Sequence, residues 1–186
     1  MPNKVTTKVF IEGESKNVKK MVEDASSVFS FEKIIPSPSL KGKELETWRF
    51  EHWGTRNTEM NAHIVSEAKN EIIYKFQTEY GYPELVLQEL SKLLDSKVTC
   101  LFTDEEMGSN CGFLQYEKGK LAMEWYPEDD YTGIAFSAEV NDVDEIAMED
   151  TNLWESYSDY DVQKIEEASE NIYTIVPEVV GDYIGA

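Results

Sequence analysis

Few residues of this chain have side chains suited to catalysis or metal binding: its 186 residues include two cysteines and two histidines. Cys100 and Cys111 flank Glu105 and Glu106 symmetrically, so a hairpin centred there would place the two thiols opposite each other. A disulfide across the hairpin is one alternative, but cytosolic thiols usually stay reduced and pack as small apolar groups. We therefore predict reduced, structural cysteines.

No metal or cofactor is predicted. An iron–sulfur cluster needs four thiolates, and zinc needs about four ligands at recognisable spacing. His52 and His63 do not form such a pattern with the two cysteines. Nucleophile elbows, glycine-rich nucleotide fingerprints and calcium loops are also missing from the sequence, so no catalytic residue is assigned. His52 is expected to be a partly buried polar side chain.

The most distinctive local pattern is the string Trp53, Gly54, Thr55 and Arg56. Glycine permits a positive φ, a threonine hydroxyl can bond to nearby backbone, and Arg56 can hold an acid or stack on Trp53. Two interpretations are open: an anion- or ligand-binding corner, or a turn that closes a strand over the sheet. One arginine and one glycine do not make a phosphate cradle, which favours the turn.

The charge of the chain is concentrated near its C-terminus. Thirty-seven acids face 17 lysines and arginines, and residues 127–186 hold 17 of these acids but a single base, Lys164. A net charge of −20 argues against direct binding to nucleic acid or to an anionic membrane. The sequence also lacks an apolar run of about 18 residues and an N-terminal leader pattern, so a cytoplasmic location is expected.

The acidic stretch also holds many apolar residues, among them Ile134, Phe136, Trp154 and Ile165, which favours a folded acidic face over a disordered tail. Such a face either keeps the protein soluble or docks onto a basic partner. The carboxylates predicted to bind a partner are Asp129, Asp130, Asp142, Asp144, Glu145, Glu149, Asp150, Glu155, Asp159 and Asp161.

Residue periodicity predicts an α+β fold of ferredoxin-like split βαβ type: an antiparallel sheet with two helices, near 15–25 and 84–95, on one face. This core is expected over residues 1–126, with an acidic α/β extension, 127–186, packed on it. Strands are predicted at Val5–Ile11, Trp48–His52, Ile72–Phe76, Val98–Phe102, Phe113–Tyr116, Leu121–Trp125 and Ile134–Val140, and a further helix at Asp159–Glu170.

Several passages resemble the YubB-type ferredoxin-like domain family: Phe29–Pro36, Glu51–Arg56, Phe76–Tyr80 and Gly112–Glu117 with the Lys118–Gly119 turn. The resemblance covers about the first two thirds of the chain and implies a ferredoxin-like topology. It also implies a protein encoded by plasmids, phages or other mobile elements, and it brings no established activity.

Two functional hypotheses follow. The first is a non-enzymatic mobile-element protein that blocks a basic, nucleic-acid-handling host protein through its acidic face, as an anti-defence factor or nucleic-acid mimic. The second is a small enzyme or ligand-binding domain that uses the Trp53–Arg56 corner, with an extension that only solubilises. A self-assembling accessory protein, and hence a homo-oligomer, is a weaker third.

Overall fold

The computed structural model describes residues 3–141 and 159–175. Its elements follow the order β1 (Lys4–Glu12), α1 (Ser15–Val22), α2 (Phe31–Ile34), α3 (Lys43–Trp53), β2 (Met60–Ala68), β3 (Glu71–Glu79), α4 (Glu84–Leu94), β4 (Lys97–Asp104), β5 (Cys111–Glu117), β6 (Lys120–Trp125), α5 (Asp130–Asn141) and α6 (Asp159–Ile175).

All six strands form one antiparallel sheet in the order β2-β3-β1-β4-β5-β6. The first four strands of this order give the ferredoxin-like topology, and β5 and β6 extend the sheet by a meander beside β4. The prediction of a ferredoxin-like α+β fold is confirmed.

Helices α1 and α4 lie on the same face of the sheet, as the pattern predicted. Val18 and Val22 of α1 and Val86 and Leu90 of α4 join one buried cluster with β1, β3, β4 and β5. The short helix α2 and the end of α3 complete this layer, in which the rings of Phe29, Phe31, Trp53 and Phe76 lie edge to face or stacked. We call this side the first face.

The second face of the sheet carries a separate apolar cluster. Phe10, Ile73, Leu101 and Phe113 project from the strands. Helix α5 packs over them and α6 packs on α5, and the two helices contribute Ile134, Ala135, Phe136, Val140, Ile165 and Ala168 to the cluster. Helices therefore cover both faces of the sheet.

Two predicted strands are helices. Trp48–His52 lies inside α3, where Trp48 and His52 are one turn apart and their rings stack with centroids 4.3 Å apart. The second strand of the fold is Met60–Ala68 instead. It is an edge strand, and its last four residues are exposed.

Ile134–Val140 likewise belongs to a helix, α5. This helix lies between the sheet and α6, so nearly every residue from Gly133 to Val140 is buried and the pattern has no clear polar side. The described part of the predicted extension thus contains two helices. The predicted helix Asp159–Glu170 is present and continues to Ile175.

Candidate functional site

The Trp53–Arg56 corner divides into a buried half and an exposed half. Trp53 is fully buried, and its Nε1–H donates to the carbonyl oxygen of Ile35 over 3.0 Å. Thr55 is also fully buried, and its hydroxyl donates to the Glu79 carbonyl oxygen over 2.8 Å. Neither side chain is open to a ligand, and both tie the end of α3 to the rest of the first face.

Gly54 ends helix α3 in the left-handed conformation, with φ of +84°. A Cβ at this position would lie 3.1 Å from the carbonyl oxygen of Tyr82 and 3.2 Å from the backbone nitrogen of Glu84. Both the positive φ and this close approach require glycine. The string is therefore a helix-ending turn, not the closure of a strand.

Arg56 is exposed and stacks on two aromatic rings. Its guanidinium carbon lies 5.1 Å from the ring centre of Tyr80 and 5.7 Å from that of Phe50. The arginine over Trp53 is Arg49, at 4.9 Å, so the expected contact of Arg56 with Trp53 is wrong. Since Phe50 and Tyr80 are 51% and 53% exposed, this group forms a cation–aromatic patch on the surface.

Tyr80 is presented by a strained but well-bonded turn. Its φ is +70°, a region that bulky residues rarely adopt. Its backbone N–H donates to the Asn3 carbonyl oxygen over 2.9 Å, and the preceding Glu79 N–H donates to Asn57 Oδ1 over 2.9 Å. Backbone strain held by surrounding bonds often marks functional positions, and here it directs an aromatic ring outward. Sequence reasoning missed both Tyr80 and Phe50.

His52 is exposed on α3, contrary to the expectation of partial burial. Its Nδ1–H donates to the Trp48 carbonyl oxygen over 2.8 Å, which leaves Nε2 as the acceptor in the neutral ring. It lines a shallow groove of about 570 Å³ between α3 and α4, beside Glu51, Gln88 and Glu89. Within the described residues, no three His, Cys, Asp or Glu side chains are grouped to hold a metal ion.

The two cysteines are free and buried. The hairpin pairs Thr103 with Cys111 and Cys100 with Leu114, so the thiols are not opposite each other as the sequence suggested. Cys100 belongs to the cluster on the first face and Cys111 to that on the second. Burial raises the pKa of both thiols, and they are structural groups.

Of the predicted docking carboxylates, Asp129, Asp130 and Asp161 lie together where α5 and α6 begin. Asp130 is exposed. Asp161 accepts a hydrogen bond from the Tyr131 hydroxyl over 2.7 Å, which joins the two helices. The backbone of Asp159 starts α6, while Asp142, Asp144, Glu145, Glu149, Asp150 and Glu155 lie outside the described residues.

Asp129 has a local structural role as well. Its carboxylate accepts from the backbone N–H and from the hydroxyl of Thr132, each over 2.9 Å, and so caps the start of α5. The hydrogen bond from the Thr132 N–H is the main reason why the pKa of Asp129 is lowered. The cap keeps this carboxylate charged at the surface.

Helices α5 and α6 present an acidic outer surface. Glu128, Asp129, Asp130, Glu166, Glu167 and Glu170 are exposed, while α5 packs on the sheet and Ile165 and Ala168 of α6 pack into the same apolar cluster. The lysine that the described part of this layer contains, Lys164, forms an ion pair with Glu167 over 2.7 Å. We call these six carboxylates the acidic surface.

This chain matches a known protein family over more than half of its length. The family described as "Ferredoxin-like domain in Api92-like protein" matches residues 57–174. The chain belongs to this family. The Api92-like match continues past Pro127, so it includes α5 and most of α6, beyond the point where the sequence resemblance was expected to end.

A crystal structure of protein api92 from Yersinia pseudotuberculosis is similar to this Api92-like chain. The two are 14% identical with a TM-score of 0.45, and the match covers 53% of this chain and 39% of that chain. This chain therefore spans well under half the length of that relative. No curated protein matches. Among the described residues, every helix is too short or too polar to cross a membrane.

Proposed function

We propose that this protein is a non-enzymatic binding protein whose acidic surface docks onto a basic, nucleic-acid-handling protein and blocks it. The observation that carries the proposal is the packing of α5 and α6: they bury their apolar side chains on the second face and leave six carboxylates exposed. Like charges so close together destabilise a fold by self-repulsion, and a basic partner would offset that cost.

A nucleic-acid-binding protein is the partner class that this surface fits best. Such proteins present basic grooves that bind rows of phosphates, and rows of carboxylates compete for the same groove. The resemblance to YubB-type proteins, which plasmids and phages encode, adds a cytoplasmic anti-defence role to the proposal: a mobile-element protein that inhibits a host nuclease by nucleic-acid mimicry.

Affinity capture with a charge-matched pair of variants tests the proposal. The acidic-surface variant carries Asp130→Asn, Glu166→Gln and Glu170→Gln, and the control carries Glu44→Gln, Glu46→Gln and Glu51→Gln on α3. Each removes three negative charges from exposed positions, but the control acts on the first face.

The wild type and the control should capture the same basic protein from lysate, in a salt-sensitive way, and the acidic-surface variant should lose it. Added duplex DNA should displace the captured protein, because both occupy one groove. Equal capture by both variants, or capture that DNA leaves unchanged, would contradict docking at the nucleic-acid groove.

A further inference from the structure

Several loops and strand ends of this molecule meet along one side of the sheet. We call this side the edge; it is formed by the ends of the strands and not by an outer strand. The register pairs Lys4 with Glu79, Val5 with Asp104, Thr103 with Cys111 and Phe113 with Trp125. The start of β1, the ends of β3, β4 and β6 and the start of β5 therefore lie side by side. Helix α3 ends there as well, since the Thr55 hydroxyl bonds to Glu79.

This edge carries three exposed aromatic side chains, Phe50, Tyr80 and Tyr126, which are 51%, 53% and 46% exposed. They belong to two groups of contacts, which the chain joins through the segment from Tyr80 to Tyr82. Phe50 and Tyr80 contact the same guanidinium of Arg56, while Tyr126 packs against Phe102 with ring centres 6.3 Å apart. Tyr82, two residues after Tyr80, also stacks on Phe102, with their ring centres 4.1 Å apart.

The same edge is surrounded by carboxylates. Glu84 begins α4, Glu105 and Glu106 form the β4–β5 turn, and Glu128, Asp129 and Asp130 lead into α5; all six are exposed. The described strand ends and turns at this edge contribute Lys4 and Arg56 as basic residues. Exposed aromatic rings inside an acidic border match the anatomy of a protein interface with anchors and a polar rim.

The contact of Arg56 shows what these rings accept. A guanidinium already lies over Phe50 and Tyr80 at 5.7 and 5.1 Å, and parts of both rings remain exposed. Guanidinium stacks on aromatic faces better than an ammonium group does, because it is planar and less strongly hydrated. The acidic border supplies the charge complement for further cations.

We infer that Phe50, Tyr80 and Tyr126 form the anchor of a docking surface for an arginine-bearing segment of the basic partner. The inference rests on the proposed function and adds to it the place and the chemistry of the central contact. The turn that holds Tyr80 is fixed by hydrogen bonds from its own N–H to Asn3 and from Thr78 Oγ1 to Gly81. A preorganised ring loses little conformational freedom on binding.

The test uses two peptides of equal length and charge, one rich in arginine and one rich in lysine, titrated against the full chain by fluorescence anisotropy at low salt. The anchor variant carries Phe50→Ala and Tyr80→Asn. Alanine suits the exposed helical position 50, and asparagine tolerates the left-handed backbone at position 80. The control carries Leu93→Ala and Leu121→Ala, which are exposed to similar extents at the opposite edge.

The wild type and the control should bind the arginine peptide about threefold to tenfold more tightly than the lysine peptide, as expected for added cation–aromatic contacts. The anchor variant should bind both peptides about equally, with circular dichroism unchanged. The acidic-surface variant should bind both peptides more weakly than the wild type does, while it keeps the preference for the arginine peptide.

Every other outcome contradicts either the anchor or the proposed function. If the wild type shows no preference for the arginine peptide, or the anchor variant keeps that preference, the anchor is wrong. The proposed function would still stand in that case if the acidic-surface variant lost its binding to both peptides. If the wild type binds neither peptide at low salt, both the anchor and the proposed function fail. If Leu93→Ala and Leu121→Ala also remove the preference, the contact is not localised to this edge and the inference fails.

Discussion

Gly133 of α5 packs directly against Gly108 of the β4–β5 turn: a Cβ on Gly133 would lie 2.6 Å from the Gly108 carbonyl oxygen. The same turn is bonded to α5 a second time, since the Gly108 N–H donates to the Ser137 hydroxyl oxygen over 3.0 Å. This contact fixes α5, and with it the acidic residues at its start, on the second face.

Gly133→Ala should therefore destabilise the fold by forcing α5 away from the turn. The cost expected for overpacking of this kind is about 1–3 kcal/mol in the free energy of unfolding, measured by urea denaturation. As a control, Glu166→Ala on the exposed side of α6 should change stability by no more than about 0.5 kcal/mol. Equal stability of the two variants would show that α5 is not held by this contact.

Thr55→Val should destabilise the turn that presents Tyr80. Valine keeps the buried volume but removes the hydroxyl that donates to the Glu79 carbonyl oxygen and lies 3.0 Å from Asn57 Oδ1. We expect a loss of about 1–3 kcal/mol and faster hydrogen exchange at the Tyr80 amide, whose partner is Asn3. Thr55→Ser keeps the hydroxyl and should preserve the protection of that amide; faster exchange in this variant would contradict the explanation.

Sequence periodicity predicted correctly those elements whose apolar residues recur at the spacing of a strand or a helix. Strands β1, β3 and β4 and helix α4 each show such a repeat, and each contributes it to the cluster on the first face. Their order was sufficient to derive the ferredoxin-like topology, because few arrangements satisfy it.

The failures have two physical causes. Strand β2 lies at the edge of the sheet, has two irregularities in its pairing and contains Asn61 with φ of +55°, so its alternation is weak. Helix α5 is buried between two layers and lacks a polar side to reveal its period. In both cases tertiary position, rather than local propensity, decides the pattern.

The aromatic patch could not be derived from sequence for a related reason. Phe50 was placed on a strand, and Tyr80 is 24 residues from Arg56, so their contact depends on the β2–β3 hairpin and the turn after β3. Gly54 was the available signal: a glycine just after an aromatic-rich segment often ends a helix. That interpretation would have placed Phe50 on the last turn of a helix that ends at Gly54, two residues before Arg56.

Cys100 and Cys111 should be unreactive in the folded protein. Burial raises the pKa of both thiols, so the thiolate that attacks alkylating reagents is scarce as well as inaccessible. Iodoacetamide should modify neither thiol under native conditions and both in guanidinium chloride, as measured by mass spectrometry. Mild reductant should leave the unfolding midpoint unchanged, because the two thiols lie on opposite faces of the sheet; a clear shift would instead indicate a disulfide.

Glu59 should make the fold less stable as the pH rises. Its carboxylate accepts from the Phe31 N–H over 3.2 Å, and burial, opposed by hydrogen bonds, raises its pKa above the ordinary value of a glutamate. A folded-state pKa that is raised contributes stability below the unfolded-state pKa, and this contribution is lost as the pH rises through the folded-state pKa. Glu59→Gln keeps an acceptor for Phe31 but cannot ionise. The stability of the variant relative to wild type should therefore increase from acidic to neutral pH, which urea denaturation at a series of pH values would measure. A difference that stays constant, or that decreases with pH, would mean that Glu59 ionises in the fold without cost.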